Sequence, residues 1–217
     1  MDKKRIIVTG GTDGIGLALV KKLIEKDQSV FIVGRNPEKG NAVLNNLKSK
    51  NLEFFQCDLS ELNQINKLLK KLKNLKRIDV LVNNAGSIFD KRSLNSEGIE
   101  KTFALNHLSY LALSIGLIEN LESSSDPRII NVSSNAHKRY KIDIDDLENN
   151  LNYSGWKAYC RSKLLNIFFT YSFKKEIKTK INSNCLHPGF VNSNFGNNNK
   201  NFYRFLINNL KSLLAIE

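Results

Sequence analysis

Two side chains of the segment Tyr159-Cys160-Arg161-Ser162-Lys163 could carry out acid–base chemistry together. On a helix, positions i and i+4 lie on one face about one turn apart, so phenol and ammonium would act on one pocket. A nearby ammonium favours the phenolate and draws a tyrosine pKa down from its ordinary value of about 10. A general acid/base for an alcohol/carbonyl couple needs that property. Tyr-x-x-x-Lys alone arises in many helices by chance, so its meaning depends on what else the chain carries. Thr9-Gly10-Gly11-Thr12-Asp13-Gly14-Ile15-Gly16 follows the apolar run Ile6-Ile7-Val8 and precedes helical periodicity at Leu17, Val20, Leu23 and Ile24. A strand that breaks into a glycine-rich turn and then a helix suits a diphosphate. The glycines let it approach without a Cβ in the way, and the helix start offers unpaired N–H groups and the positive end of its dipole. The same glycines could instead serve only tight helix–strand packing.

Apolar runs alternate with helical patterns along the chain. The strand at Ile6–Val8 is followed by Ser29 to Gly34, Phe54 to Leu59, Ile78 to Val82, Arg128 to Val132 and Lys180 to Leu186. Helices are predicted from about Pro37 to Lys50, Leu62 to Leu72, Glu97 to Leu121, up to about Ile177 around Tyr159, and Phe202 to Leu214. This alternation predicts one α/β domain over residues 1–217: a Rossmann-like doubly wound parallel sheet. Right-handed crossovers give it the order 3-2-1-4-5-6.

Several polar residues fall at strand ends or on apolar helix faces. Arg35 ends the second strand, where an Asp or Glu would accept hydrogen bonds from an adenosine ribose 2′-hydroxyl and repel a 2′-phosphate. A forked cation there favours the phosphate, although an ordinary surface arginine would look the same, and Asp13 adds an opposing charge nearby. Asp58, at the tip of the third strand, could either contact an adenine or cap the following turn and helix. Asn106 sits among Phe103, Ala104, Leu105, Leu108 and Leu111, a setting in which a polar side chain needs partners. Ser134 closes the fifth strand with a hydroxyl, and His107 reads as structural.

In order, the glycine turn, Asn83-Asn84-Ala85-Gly86, Leu105-Asn106-His107-Leu108-Ser109, Ser134 and Tyr159-x-x-x-Lys163 resemble the short-chain dehydrogenase/reductase family. The resemblance runs from residue 5 to about 195, with serine at 109 where the family pattern has glycine. Ser134 and Tyr159 are 25 positions apart. That long insert, together with Ser133-Ser134-Asn135-Ala136-His137 and His187-Pro188-Gly189, resembles the retinol-dehydrogenase-like and WW-domain-containing-oxidoreductase-like branch. The resemblance implies a catalytic set of Asn106, Ser134, Tyr159 and Lys163. It also implies cofactor contacts at Gly10, Thr12, Gly14, Ile15, Gly16, Arg35, Asp58, Leu59, Asn84, Ala85, Gly86, Tyr159, Lys163, Val191 and Ser193. Tyr159 would exchange the proton, Ser134 would hydrogen-bond the reacting oxygen, Lys163 would bind the nicotinamide ribose, and Asn106 would help hold a relay water. The implied cofactor is NADP(H), with NAD(H) second, and the implied substrate is a small alcohol or carbonyl. Family members continue with a seventh strand that this chain is expected to lack, so a non-catalytic cofactor-sensing protein is the alternative.

Composition bounds the remaining classes. The net charge of +12 is spread over lysines on surface helices without a basic patch interleaved with aromatics, so no specific nucleic-acid partner is expected. Three cysteines without metal spacing suit a reducing compartment and no metal site. No apolar run reaches the roughly 18 residues of a membrane span. The expectation is a soluble, cytoplasmic protein that forms at most a homodimer.

Overall fold

A computed structural model describes residues 3–189. Its six strands, β1 (Arg5–Thr9), β2 (Ser29–Gly34), β3 (Leu52–Gln56), β4 (Val80–Asn83), β5 (Arg128–Val132) and β6 (Asn182–Leu186), form one parallel sheet in the order 3-2-1-4-5-6. Seven α-helices accompany them: α1 (Gly14–Glu25), α2 (Pro37–Leu47), α3 (Leu62–Lys73), α4 (Lys101–Phe103), α5 (Ser109–Gly116), α6 (Ile118–Glu122) and α7 (Gly155–Glu176). The central strands read as near-continuous apolar runs because helices cover both faces of the sheet. One face buries Ile7, Phe31, Val33, Leu81 and Ile129 against α3, α5 and α7, and the other buries Ile6, Val8, Ile32 and Val82 against α1 and α2.

Local chemistry sets the helix ends. Asp13 caps α1 by accepting from Gly14 N (2.8 Å), and Asn36 caps α2 by accepting from Lys39 N (2.7 Å) ahead of Pro37 at the first helical position. Lys48 stops α2 in the left-handed region (φ 44°), three residues earlier than its periodicity suggested.

The helix predicted from Glu97 to Leu121 is not continuous. Asn95 and Gly98 (φ 80°) build a turn closed by the Leu94–Glu100 bridge, and the buried Glu100 then caps α4 by accepting from Thr102 N and Phe103 N (2.8 and 2.7 Å). Between α4 and α5, residues Ala104–Leu108 form a π-helical turn. Ser109 N–H reaches back to Ala104 O, which deprives Leu105 O of its α-helical donor; the Ser109 hydroxyl supplies one instead at 2.6 Å. The serine that departs from the family's glycine thus closes this turn.

No helix among the described residues is long and apolar enough to cross a membrane, and no group of three or more His, Cys, Asp or Glu among them could hold a metal ion. Val191, Ser193 and the predicted terminal helix lie outside the described residues, as does any seventh strand.

Candidate active site

The carboxyl ends of β1, β4 and β5 meet the first turns of α1 and the middle of α7. At β1, Thr9 Oγ1 accepts from Asn84 N (2.8 Å) and Ala85 N (3.0 Å) and donates to Val82 O (3.2 Å), while Asn84 Nδ2 donates to Thr9 O (2.9 Å). Asn84 therefore ties the glycine turn to the end of β4. Gly10 (φ 66°) and Gly14 (φ 52°) occupy the left-handed region. A Cβ on Gly16 would lie 2.2 Å from Gly10 O, so the turn closes only with glycine there. The packing reading of these glycines thus has a structural basis, and the start of α1 lies beside the ends of β1 and β4.

Beyond the glycine turn, Arg35 directly follows β2, with its side chain 73% exposed and Nη1 3.7 Å from Asp58 Oδ2. Asp58 also accepts from Ser60 Oγ (2.7 Å) and Ser60 N (3.0 Å), which is the turn role that its sequence allowed. Lys39 Nζ stands 2.7 Å from Asp13 Oδ2, so the negative charge weighed against Arg35 already has a cation on it. Lys39 was missed in the sequence, although its place one helical turn beyond Asn36 was a readable signal. Thr12 packs its side chain over Gly34, and the Leu59 side chain lies in the core, which leaves only backbone at that position to face a cofactor.

Tyr159 and Lys163 share the buried face of α7, as their spacing requires. Lys163 Nζ donates to Val132 O (2.9 Å) and lies 5.6 Å from the centre of the Tyr159 ring and 5.5 Å from that of Tyr110. Burial lowers the Lys163 pKa to about 8. Burial likewise pushes the Tyr159 phenol up to about 12, and a hydrogen bond with the Ser134 side chain works in the opposite direction. This corrects the sequence expectation that the ammonium would draw the phenol down. Both groups are desolvated, and desolvation disfavours the charged form of each.

Ser134 lies two residues beyond β5 and caps the 3-10 helix Asn135–Arg139, accepting from Ala136 N at 3.2 Å. Trp156 stacks on Tyr159 (centroids 5.7 Å, 26°), and Ile88, Ala136 and Cys160 complete an apolar collar around the phenol.

The Asn106 side chain has less freedom than a water-holding role implies. Its Oδ1 accepts from Ser87 N (2.9 Å), and its Nδ2 donates to Ser87 O (2.9 Å) and Ser162 Oγ (3.1 Å). It fastens the segment after β4 to α7. A Cβ on Gly86 would sit 3.3 Å from Asn106 Oδ1 and 3.5 Å from Lys163 Nζ, so glycine keeps that approach open.

Asn166 Nδ2 donates to Asn106 O (2.8 Å), which makes its Oδ1 the acceptor for His107 Nδ1–H at 3.0 Å. His107 is partly buried between Phe103 and Phe169, and desolvation lowers its pKa. Tyr110, Ser162 and Asn166 were not singled out in the sequence. Their positions one helical turn from Asn106 or beside Lys163 carried the only signal.

These features define a Rossmann-type doubly wound fold with a buried phenol and amine side by side at the carboxyl end of its sheet. The chain belongs to the short chain dehydrogenase family, which it matches over residues 4–203. It is 34% identical to human polyprenol dehydrogenase over 199 residues (86% of this chain, 60% of that protein). It is 33% identical to human retinol dehydrogenase 12 over 196 residues (88% and 62%). The chain thus spans about three fifths of the length of these curated relatives. Among solved structures, a Mycobacterium paratuberculosis protein is 29% identical with TM-score 0.78, covering 86% of this chain and 68% of its own. The Pseudomonas aeruginosa RhlG/NADP active-site complex is 28% identical with TM-score 0.72, covering 91% and 77%.

Proposed function

We propose that this chain is an NADP-dependent oxidoreductase that interconverts an alcohol and a carbonyl on a small lipophilic substrate. The observation that carries the proposal is the Tyr159 phenol: buried in an apolar collar, hydrogen-bonded with Ser134, and backed by the Lys163 ammonium. The residues present fit a nicotinamide dinucleotide. The glycine turn and the start of α1 suit its diphosphate, Arg35 and Lys39 suit a 2′-phosphate, and Gly86 leaves room beside Lys163 for the ribose. When bound, that group supplies or accepts the hydride.

The chain's own part is positioning and proton handling. Ser134 Oγ hydrogen-bonds the substrate oxygen and orients it toward Tyr159 Oη. With a pKa of about 12, Tyr159 keeps its proton at neutral pH and can donate it to that oxygen, which suits carbonyl reduction. Lys163 supplies a positive charge behind the phenol as it gives up its proton. Asn106 holds Gly86 and Ser87 in place against α7 and acts through that geometry. The names of the curated relatives, a polyprenol and a retinol dehydrogenase, support a lipophilic alcohol or aldehyde as substrate.

The test is NADPH oxidation against a panel of carbonyls, with Tyr159→Phe alongside. The variant keeps the ring and loses the proton, so turnover should fall about a hundredfold or more while the Kd for NADPH stays within twofold. A wild type that binds NADPH tightly and reduces nothing would instead favour a cofactor-sensing protein.

A further inference from the structure

Arg161 stands between Tyr159 and Lys163 in sequence but faces away from both, since two residues turn a helix by about 200°. It is a buried cation, 8% exposed. Its guanidinium is engaged by the stretch between the 3-10 helix and α7. Nε donates to Lys141 O (3.1 Å), Nη1 donates to Asp146 O (3.2 Å) and Asn149 Oδ1 (2.9 Å), and Nη2 lies 3.7 Å from the Asp143 carboxylate. A charge is retained in such a place only where it is paired and hydrogen-bonded, and the planar fork of arginine meets several acceptors at once.

The far edge of the same stretch is fastened to the segment after β4. Glu148 Oε2 accepts from Glu100 N (2.9 Å), and Tyr153 Oη donates to Phe89 O (2.9 Å). Gly155 packs so closely on Phe89 that a Cβ would lie 2.2 Å from Phe89 O. Just before Phe89, Ile88 belongs to the collar around Tyr159. The stretch therefore leaves Ser134, passes over Arg161, grips the segment that borders the phenol, and ends at Trp156 and Tyr159.

We infer that Arg161 is a positioning residue that holds residues 141–149 as one wall of the substrate site. It sets the fit of a large substrate and leaves proton transfer to Tyr159. The inference rests on the oxidoreductase reading above, and its test separates the two. Arg161→Lys keeps the charge but loses the fork; Asn149→Ala removes one acceptor without touching α7. For both variants, KM for a long-chain carbonyl should rise, by about tenfold in the lysine variant. KM for a short-chain aldehyde, kcat for both substrates, and the Kd for NADPH should stay within about twofold. Trypsin should also cleave after Lys141 faster in both variants than in the wild type.

A role confined to folding would depress both substrates together or weaken NADPH binding, and either result would overturn the inference. So would unchanged discrimination in Asn149→Ala, should Arg161→Lys fail to fold, or cleavage at the wild-type rate. Failure of the wild type to turn over either substrate would remove the oxidoreductase reading and the inference with it. Wild-type turnover with unaltered discrimination in the variants would remove the inference alone.

Discussion

Burial of the Lys163 ammonium, with Val132 O as acceptor and two tyrosine rings beside it, has a consequence that can be read in stability as well as in activity. Its folded pKa of about 8 lies below the ordinary 10.5. Below pH 8 the folded protein carries the cost of a desolvated charge. Between pH 8 and 10.5 the folded state releases the proton that the unfolded state still binds, so this group's contribution to stability rises with pH. Tyr159, raised to about 12, acts in the opposite sense above pH 10. Measured against Lys163→Met, wild-type stability in urea should therefore gain on the variant from pH 7.5 to pH 10, by about 3 kcal/mol at most. A constant difference would show that the ammonium is not desolvated. At the other end of the site, Arg35 and Lys39 oppose two carboxylates, Asp58 and Asp13. Arg35→Asp leaves Lys39 with an acidic majority, so the preference for NADPH over NADH should reverse when both are titrated. A wild type that already prefers NADH would refute the assignment of Arg35. The sequence showed Arg35 and Asp13 but not which charge was neutralised, because the Lys39–Asp13 pair joins a turn to a different helix. It also misjudged the Tyr159 pKa, since i, i+4 spacing reports proximity and carries no information on burial.

At the scale of elements, the glycine turn was legible because strand, turn and helix follow one another directly in the chain. Its tight closure adds a sharper expectation. Gly16→Ala would place a Cβ 2.2 Å from Gly10 O, a backbone atom with little room to move. The turn must open, so NADPH affinity should fall about tenfold or more and the melting temperature should drop by several degrees. Equal affinity in a calorimetric titration would mean that the turn is softer than its packing indicates. The interruption of the helix around Asn106 was not legible. A run such as Phe103-Ala104-Leu105-Asn106-His107-Leu108 keeps helical periodicity, and what widens the turn is supplied in part from elsewhere: Asn166 on α7 takes Asn106 O, while Ser109 takes Leu105 O. The insert after Ser134 was readable as an insert, but its anchor was not, because Arg161 looks like filler inside a motif whose other members draw attention.

Over the whole molecule, strand order followed from alternation and handedness, which act at long range and leave a sequence record in every strand. The proposed cofactor site draws on the carboxyl ends of several neighbouring strands and on the helices packed beside them, so occupancy should be felt globally. NADPH at a hundred times its Kd should stabilise the folded state by about 2.7 kcal/mol, raising the melting temperature by roughly 5–10 °C for a domain of this size. A ligand that binds with measured affinity and leaves the transition unmoved would have to bind the unfolded chain equally well. The π-helical turn also has a consequence at this scale. One surplus residue in a helix advances the angular phase of everything downstream by about 100°. Upstream of it, Thr102 meets Tyr153; at it, Asn106 meets Ser87; beyond it, Tyr110 reaches Ala85 O. A helix of uniform pitch could satisfy one of those appointments only by missing another. The widened turn acts as a gear change that lets one continuous stretch of chain keep all three, and any lineage that gains or loses a residue here must re-phase the whole helix or forfeit one of them.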